Sequence, residues 1–254
     1  MATDRPLAGQ VAVVTGALGK LGPTWVAALA DAGATVVGLD IAGGADADVE
    51  QADVTDRPSV EAARERITAR LGAPSVLVNA AGIDQPPDAA ATTWLVEDVA
   101  ADDFRRTVDV NLTGAFIAMQ VFGPAMVAAG GGSIVNIGSL YASIAPDPKF
   151  YDHLDADPPF LKPPAYAASK AGLLALTRYF ARLWGPSGVR VNALSPGGVA
   201  GGQDDEFRRK YEGRVPLGRM AELDDLGGPL VFLASQAASY VSGHELRVDG
   251  GFTA

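Results

Sequence analysis

Gln10-Val11-Ala12-Val13-Val14-Thr15-Gly16-Ala17-Leu18-Gly19-Lys20-Leu21-Gly22 decides the fold of this chain. Its first six residues are largely apolar and β-branched and lie between Gly9 and Gly16, which reads as a buried strand. A glycine turn follows. Pro23 then begins a helix to Ala32, with Trp25, Val26, Leu29 and Ala30 at helical spacing. Proline suits a first turn because the missing N–H has no intrahelical partner there. Gly33 ends the helix, and Thr35 to Asp40 is a second apolar strand closed by a carboxylate. Strand, glycine turn, helix, strand and terminal acid make a dinucleotide-binding unit. The glycines let the backbone approach a pyrophosphate at the helix N-terminus, where open N–H groups favour an anion. Asp40 would accept hydrogen bonds from the adenosine ribose and repel a 2′-phosphate, which predicts NAD over NADP. Lys20 has two readings, toward solvent or toward a phosphate, with solvent favoured.

The same alternation continues to the C-terminus. Asp48 to Val54 reads as a short strand whose Asp53 would meet the adenine amino group; Asp56 or Thr55 caps a helix from about Pro58 to Leu71. Ser75 to Asn79 is a strand, and the small Ala80-Ala81-Gly82 suits either close approach to a cofactor or a tight turn. After a polar connection from Asp84 to Ala101, one long helix is expected from Asp102 or Asp103 to about Ala129. Asn111 falls in the middle of its apolar face, so the amide either locks packing or holds a water. Ser133 to Ile137 is the next strand, and Ser139 just past its tip lies in the ligand crevice. Val189 to Leu194, with Pro196-Gly197-Gly198 at its tip, and Glu245 to Asp249 are the last strands; Leu223 to Ala234 is a helix. Between them, Asp204, Asp205 and Glu206 stand four before Arg208, Arg209 and Lys210, which predicts a short exposed helix in a lid at about 198–215. The fold class is α/β: residues 1–254 form one Rossmann-type domain, a doubly wound parallel sheet of about seven strands with helices on both faces.

Tyr166 and Lys170 stand four apart at the start of a long apolar run, so one helix face carries both. Taken alone the pair reads as a half-exposed tyrosine and a solvated lysine. A fixed ammonium one turn away would instead favour the phenolate. Lowering a phenol's pKa by about three requires about 4 kcal/mol, within reach of a partly desolvated pair. The product is a general acid/base for hydroxyl–carbonyl interconversion.

Composition narrows the class. The chain has 254 residues and a net charge of −10, against a binder of nucleic-acid phosphates. It has no cysteine, and His153 and His244 have no ligand-like spacing, so no metal site is expected. Met1 to Pro6 is short and polar, unlike a signal peptide. No apolar run is read as long enough for a membrane span. A cytoplasmic protein, with no nucleic-acid or membrane partner, is expected.

In order along the chain, Thr15-Gly16 to Gly22, Asp53, Asn79-Ala80-Ala81-Gly82, Asn111, Ser139, Tyr166 with Lys170, and Pro196-Gly197 resemble the short-chain dehydrogenase/reductase family over essentially the whole length. The resemblance implies an oxidoreductase in which Tyr166 is the acid/base and Lys170 lowers its pKa and binds the nicotinamide ribose. Ser139 holds the reacting oxygen, and Asn111 holds a relay water. It implies NAD bound by Gly16, Leu18, Lys20, Leu21, Gly22, Asp40, Ile41, Asp53, Val54, Asn79 to Gly82, Tyr166, Lys170, Pro196, Gly197 and Val199. It also implies a homotetramer. The glycine usual at Lys20 stands at Gly19 instead. Gly201 replaces a common hydroxyl residue, and the interval from Ser139 to Tyr166 is longer than usual.

That longer interval holds a Pro-rich loop at about 140–164, too long for an idle connection. With Ser139 and Tyr166, it offers Tyr141, Lys149, Tyr151 and His153 to a substrate, and the lid offers Gln203. Such polar groups suit a sugar, sugar acid or sugar derivative oxidised at a secondary alcohol. Lys149, Lys162, Arg208 or Arg209 could meet an anionic sugar. The alternatives are a reductase of an apolar ketone or 3-oxoacyl thioester, and a non-catalytic nucleotide sensor.

Overall fold

Val11–Thr15 (β1) pairs in parallel with Thr35–Asp40 (β2) on one side and Val76–Asn79 (β4) on the other. The computed structural model describes residues 5–43, 48–84, 95–155, 157–158, 160 and 162–254. Val49–Gln51 (β3), Gly132–Ile137 (β5), Val189–Pro196 (β6) and Glu245–Val248 (β7) complete one sheet in the order β3-β2-β1-β4-β5-β6-β7. Every pairing is parallel. The order reverses between β1 and β4, so the crevice beyond their C-terminal ends is the ligand position of this architecture.

Side-chain alternation in β1 builds both halves of the core. Val13 joins Leu77, Ile134, Met119 and Phe122 on one face; Ala12 and Val14 join Trp25, Leu29, Val135 and Leu230 on the other. The first face is covered by Arg57–Leu71 (α2), Gly114–Ala128 (α4) and Pro164–Trp184 (α5), whose residues Val60, Phe122 and Phe180 belong to that cluster. Gly22–Asp31 (α1) and Asp224–Ala234 (α7) cover the second. Buried on both faces, the central strands read as continuous apolar runs, as parallel strands do.

Four expectations need correction. The third strand is shorter than expected, Val49–Gln51. The single long helix is two, Ala101–Val108 (α3) and α4, joined by a π-helical turn at Asp109–Thr113 that carries Asn111. A hydrophobic repeat is nearly the same with one extra residue in a turn, so the pattern did not reveal it. The helical run Ala101–Ala128 is long and apolar enough by length and composition to span a membrane, and half of its most apolar window is buried in the core. The region after β6 contains a helix at Asp205–Glu212 (α6). Of the expected four-residue pairs Glu206 with Lys210 is formed, at 3.6 Å; Glu206 also meets Arg209 at 2.6 Å, Arg208 meets Glu212 instead, and Asp204 is the N-cap, accepting from the Phe207 amide.

Pro124 lies inside α4 without ending it. Beside it, Gly123 packs against the Trp184 ring so closely that a Cβ would lie 2.2 Å from a ring carbon. This contact fixes α4 against α5, the helix that carries Tyr166.

Candidate active site

The glycine turn is shaped by contact with the tail of β4. Gly16 has φ +68°, and a Cβ there would lie 2.6 Å from the Ala81 Cα. The Ala80 and Ala81 amides both donate to the Thr15 hydroxyl at 3.1 Å. Thr15 therefore ties β1 to the tail of β4 at the switch point. Helix α1 starts without a side-chain cap and without an acid in its first turn, so its N-terminal N–H groups are left for an anion. Asp40 accepts from the Leu18 amide at 3.0 Å and the Ala42 amide at 3.1 Å. One bond at each oxygen leaves acceptor capacity for hydroxyl donors. Ile41 beside it is exposed and Val54 is buried. Asp53 accepts from the Thr55 amide and hydroxyl at 2.8 and 2.7 Å, and Asp56 caps α2. Asn79 Oδ1 is buried with no hydrogen-bond partner among the described residues. The Lys20 ammonium lies against Gly201, where an added Cβ would be 2.9 Å away. It therefore reaches across the cleft toward the segment after β6. Together these groups fit a dinucleotide.

Lys170 is the charged centre. It is buried and donates to the Ile137 carbonyl at 2.7 Å, off the end of β5. Burial pulls its pKa down to about 8, with the charge of Asp84 opposing. Gly82 leaves room for it: an added Cβ would stand 3.7 Å from the ammonium and 3.2 Å from Asn111 Oδ1. Asn111 Oδ1 accepts from the Ile83 amide at 2.7 Å, and its Nδ2 donates to the Ile83 carbonyl at 3.0 Å and to Ser169 Oγ at 3.2 Å. Of the two readings of this amide, locking packing is the one its contacts fit. It ties the tail of β4 to α5.

Tyr166 is half-buried, with the Lys170 ammonium 5.7 Å from its ring centroid. The expected lowering of its pKa is reversed in the chain alone. Burial and then the nearby Asp84 charge push the phenol up to about 12, while a hydrogen bond from Ser139 pulls it down. The physical reason is distance and engagement: the ammonium is committed to Ile137, and desolvation of a phenolate outweighs what remains. Ser139 is buried beside it, and its Oγ also accepts from the Tyr141 amide at 3.2 Å.

The inserted loop has an aromatic underside that its polar composition hid. Leu140, Phe150, Tyr151 and Phe160 form a third cluster with Phe207, Tyr211, Val215 and Met220. Its outer residues latch onto α6. His153 Nε2 contacts Asp204 at 2.8 Å and its Nδ1 contacts Lys210 at 3.0 Å, while Lys210 also bonds Asp152. His153 thus stands in a latch with both nitrogens engaged, and Lys149 is exposed on an outer turn. The Tyr141 and Tyr151 hydroxyls bond to each other, and burial raises both pKa values. Gln203 donates to the Val199 carbonyl at 2.9 Å. Gly197 and Gly198 press on Asp249 and Tyr211, where a Cβ would come within 2.8 and 2.6 Å. Sequence reasoning missed Asp84, which pairs with Lys162 at 2.6 Å. Lys162 Nζ stands 5.4 Å over the Tyr166 ring. The available signal was a carboxylate two residues after Gly82, at the mouth of the switch point.

Comparison with known proteins agrees with this geometry. A family model described as enoyl-(acyl carrier protein) reductase matches residues 16–253. The chain belongs to the short-chain dehydrogenase/reductase family. Within it, the chain is sugar-dehydrogenase-like. It is 35% identical to the D-threitol dehydrogenase of Mycolicibacterium smegmatis, over 98% of this chain and 95% of that one. A short-chain dehydrogenase from Leptospira borgpetersenii with bound NAD+ superposes with a TM-score of 0.86 at 32% identity, covering 99% of this chain and 95% of that one. A gluconate 5-dehydrogenase from Burkholderia cenocepacia, in complex with NADP and tartrate, superposes with a TM-score of 0.83 at 29% identity, covering 98% and 97%. This short-chain dehydrogenase/reductase is an oxidoreductase that uses a nicotinamide cofactor.

Lys170 gives a pH signature. Its folded pKa of about 8 lies below the ordinary 10.5, so between them the unfolded chain binds more protons. Stability should therefore rise with pH across this window, by up to about 3 kcal/mol. Denaturant unfolding from about pH 8 to about pH 10 should show wild type gaining on Lys170→Met. Parallel curves would place the ammonium in a solvated site.

Proposed function

We propose that this dehydrogenase oxidises a secondary alcohol of a sugar, sugar acid or polyol with NAD, at Tyr166. The observation that carries the reading is the set of polar groups around one phenol. Ser139 bonds it, Lys170 and Lys162 flank its ring, and the Asp84 charge acts both on it and on the phenols of Tyr141 and Tyr151.

Ser139 Oγ and Tyr166 Oη hold the substrate hydroxyl between them, and Tyr166 Oη takes its proton. Lys170 stabilises the Tyr166 phenolate that accepts this proton and becomes the neutral phenol, and Asn111 holds the tail of β4 in place beside that ammonium. The bound nicotinamide supplies the hydride acceptor and a positive charge. The cofactor would lie along the glycine turn, Asp40 and Ile41, Asp53 and Val54, Asn79 to Gly82, and Pro196, Gly197 and Val199. The Asp40 carboxylate, facing the ribose side, supports NAD; Lys20 is the residue that would favour a further phosphate. Ser139, Tyr141, Tyr151 and Gln203 are the proposed substrate contacts. A reductase of apolar ketones or acyl thioesters would need the loop's rings at the site mouth. Phe150 and Phe160 are instead buried, in the cluster formed with α6.

We also infer a cytoplasmic homotetramer. Exposed Tyr179 and Leu183 on α5 and Phe104 on α3 give an apolar outer surface for a second copy.

Cofactor reduction across sugars, sugar acids, polyols and simple alcohols tests the reading, with NAD and NADP in parallel. The expected result is turnover of polyhydroxylated substrates with NAD preferred, in a particle of four-chain mass by light scattering. An NADP preference that persists in Lys20→Ala would contradict the role of Asp40.

A further inference from the structure

Asp84 and Lys162 are 78 residues apart, and neither belongs to the glycine turn or the Tyr166–Lys170 pair. Lys162 Nζ donates to Asp84 Oδ2 at 2.6 Å and stands 5.4 Å over the Tyr166 ring. The lysine side chain is 8% exposed and the aspartate side chain 43% exposed. The pair therefore buries its cation and turns its anion outward. The same carboxylate acts on Tyr141, Tyr151 and Tyr166, raising all three phenols. It thus lies within electrostatic reach of the proposed acid/base and of two proposed substrate contacts.

Lys170 is engaged by the Ile137 carbonyl and Lys20 lies across the cleft against Gly201, while the cations of the inserted loop and α6 are, Lys149 apart, matched by acids. Lys210 meets Asp152 and Glu206, Arg209 meets Glu206, Arg208 meets Glu212, and Arg214 meets Asp147. His153 lies between Asp204 and Lys210. The cationic side chains that suggested an anionic sugar from sequence are thus each set against a carboxylate, apart from Lys149 on its exposed turn.

We infer that the Asp84–Lys162 pair is a specificity device that selects a neutral polyol over the corresponding hydroxy acid. The inference rests on the polyhydroxylated-substrate reading above and deepens it. A carboxylate accepts two hydroxyl donors from neighbouring carbons while Lys162 holds it in place. A substrate carboxylate in the same position meets a like charge and a cation already engaged. It must either stand beside Asp84 or displace it, and each leaves a partly desolvated charge poorly compensated. Hydroxyls removed from the substrate take away the hydrogen bonds it would donate to Asp84, which a polar site penalises strongly.

The test is kcat/KM for four- to six-carbon alditols, the aldonates of matching length and aliphatic secondary alcohols of the same length. Wild type is compared with Asp84→Asn and Lys162→Met, with cofactor binding followed by fluorescence to verify intact folding. Wild type should prefer alditols over aldonates by at least about tenfold, the range expected of one charged contact. Asp84→Asn should raise the KM for alditols more than it lowers kcat, and should shrink that ratio because Lys162 is then unopposed. Lys162→Met should widen it. Alditol turnover with the same alditol/aldonate ratio in wild type and Asp84→Asn, or an aldonate preference in wild type, overturns this inference alone. Equal kcat/KM for alditols and aliphatic alcohols overturns the parent reading and this one with it.

Discussion

A lysine ammonium buried at the end of β5 is the constraint around which this protein is arranged. Removing a charge from water is costly, and the Ile137 carbonyl is its hydrogen-bond partner among the described residues. The surroundings are fitted to it. Gly82 contributes no side chain where a methyl group would crowd Asn111 and approach the ammonium. Asn111 spends its amide on the backbone of Ile83 and on Ser169, fixing the tail of β4 against the helix that carries Lys170. The π turn in the long helix is the local departure from regular structure at that point, and π turns recur at functional positions.

The phenol beside it is governed by burial as well. In the chain alone, burial and Asp84 keep Tyr166 protonated, and only Ser139 pulls the other way. Two ammonium groups flank the ring, one engaged by Ile137 and the other by Asp84. Redirecting either toward the phenol oxygen would favour the phenolate.

Residues 10–40 and the Tyr166 helix were legible because their signals are local. Glycine spacing, apolar runs and a four-residue interval are set within one or two elements, and the parallel sheet follows from their alternation. What stayed hidden depends on residues far apart in the chain. Asp84 and Lys162 sit on separate irregular segments, and no periodicity links them. His153 read as a substrate donor by its chemistry, but only the folded loop shows that Asp204 and Lys210 take its nitrogens. The loop read as polar because it is rich in proline and charge; its few aromatic residues point inward and pack on α6. The direction of the Tyr166 shift was inverted because spacing on a helix gives proximity to a charge and says nothing of desolvation.

Steady-state turnover and cofactor affinity in Tyr166→Phe test the account most directly, since this change removes one oxygen and keeps the ring between Lys162 and Lys170. With a polyhydroxylated substrate, cofactor affinity should stay close to wild type while kcat falls by about a thousandfold, as expected for loss of a general acid/base. Turnover that survives at the wild-type level would show that the proton leaves by another route and would remove Tyr166 from the chemistry.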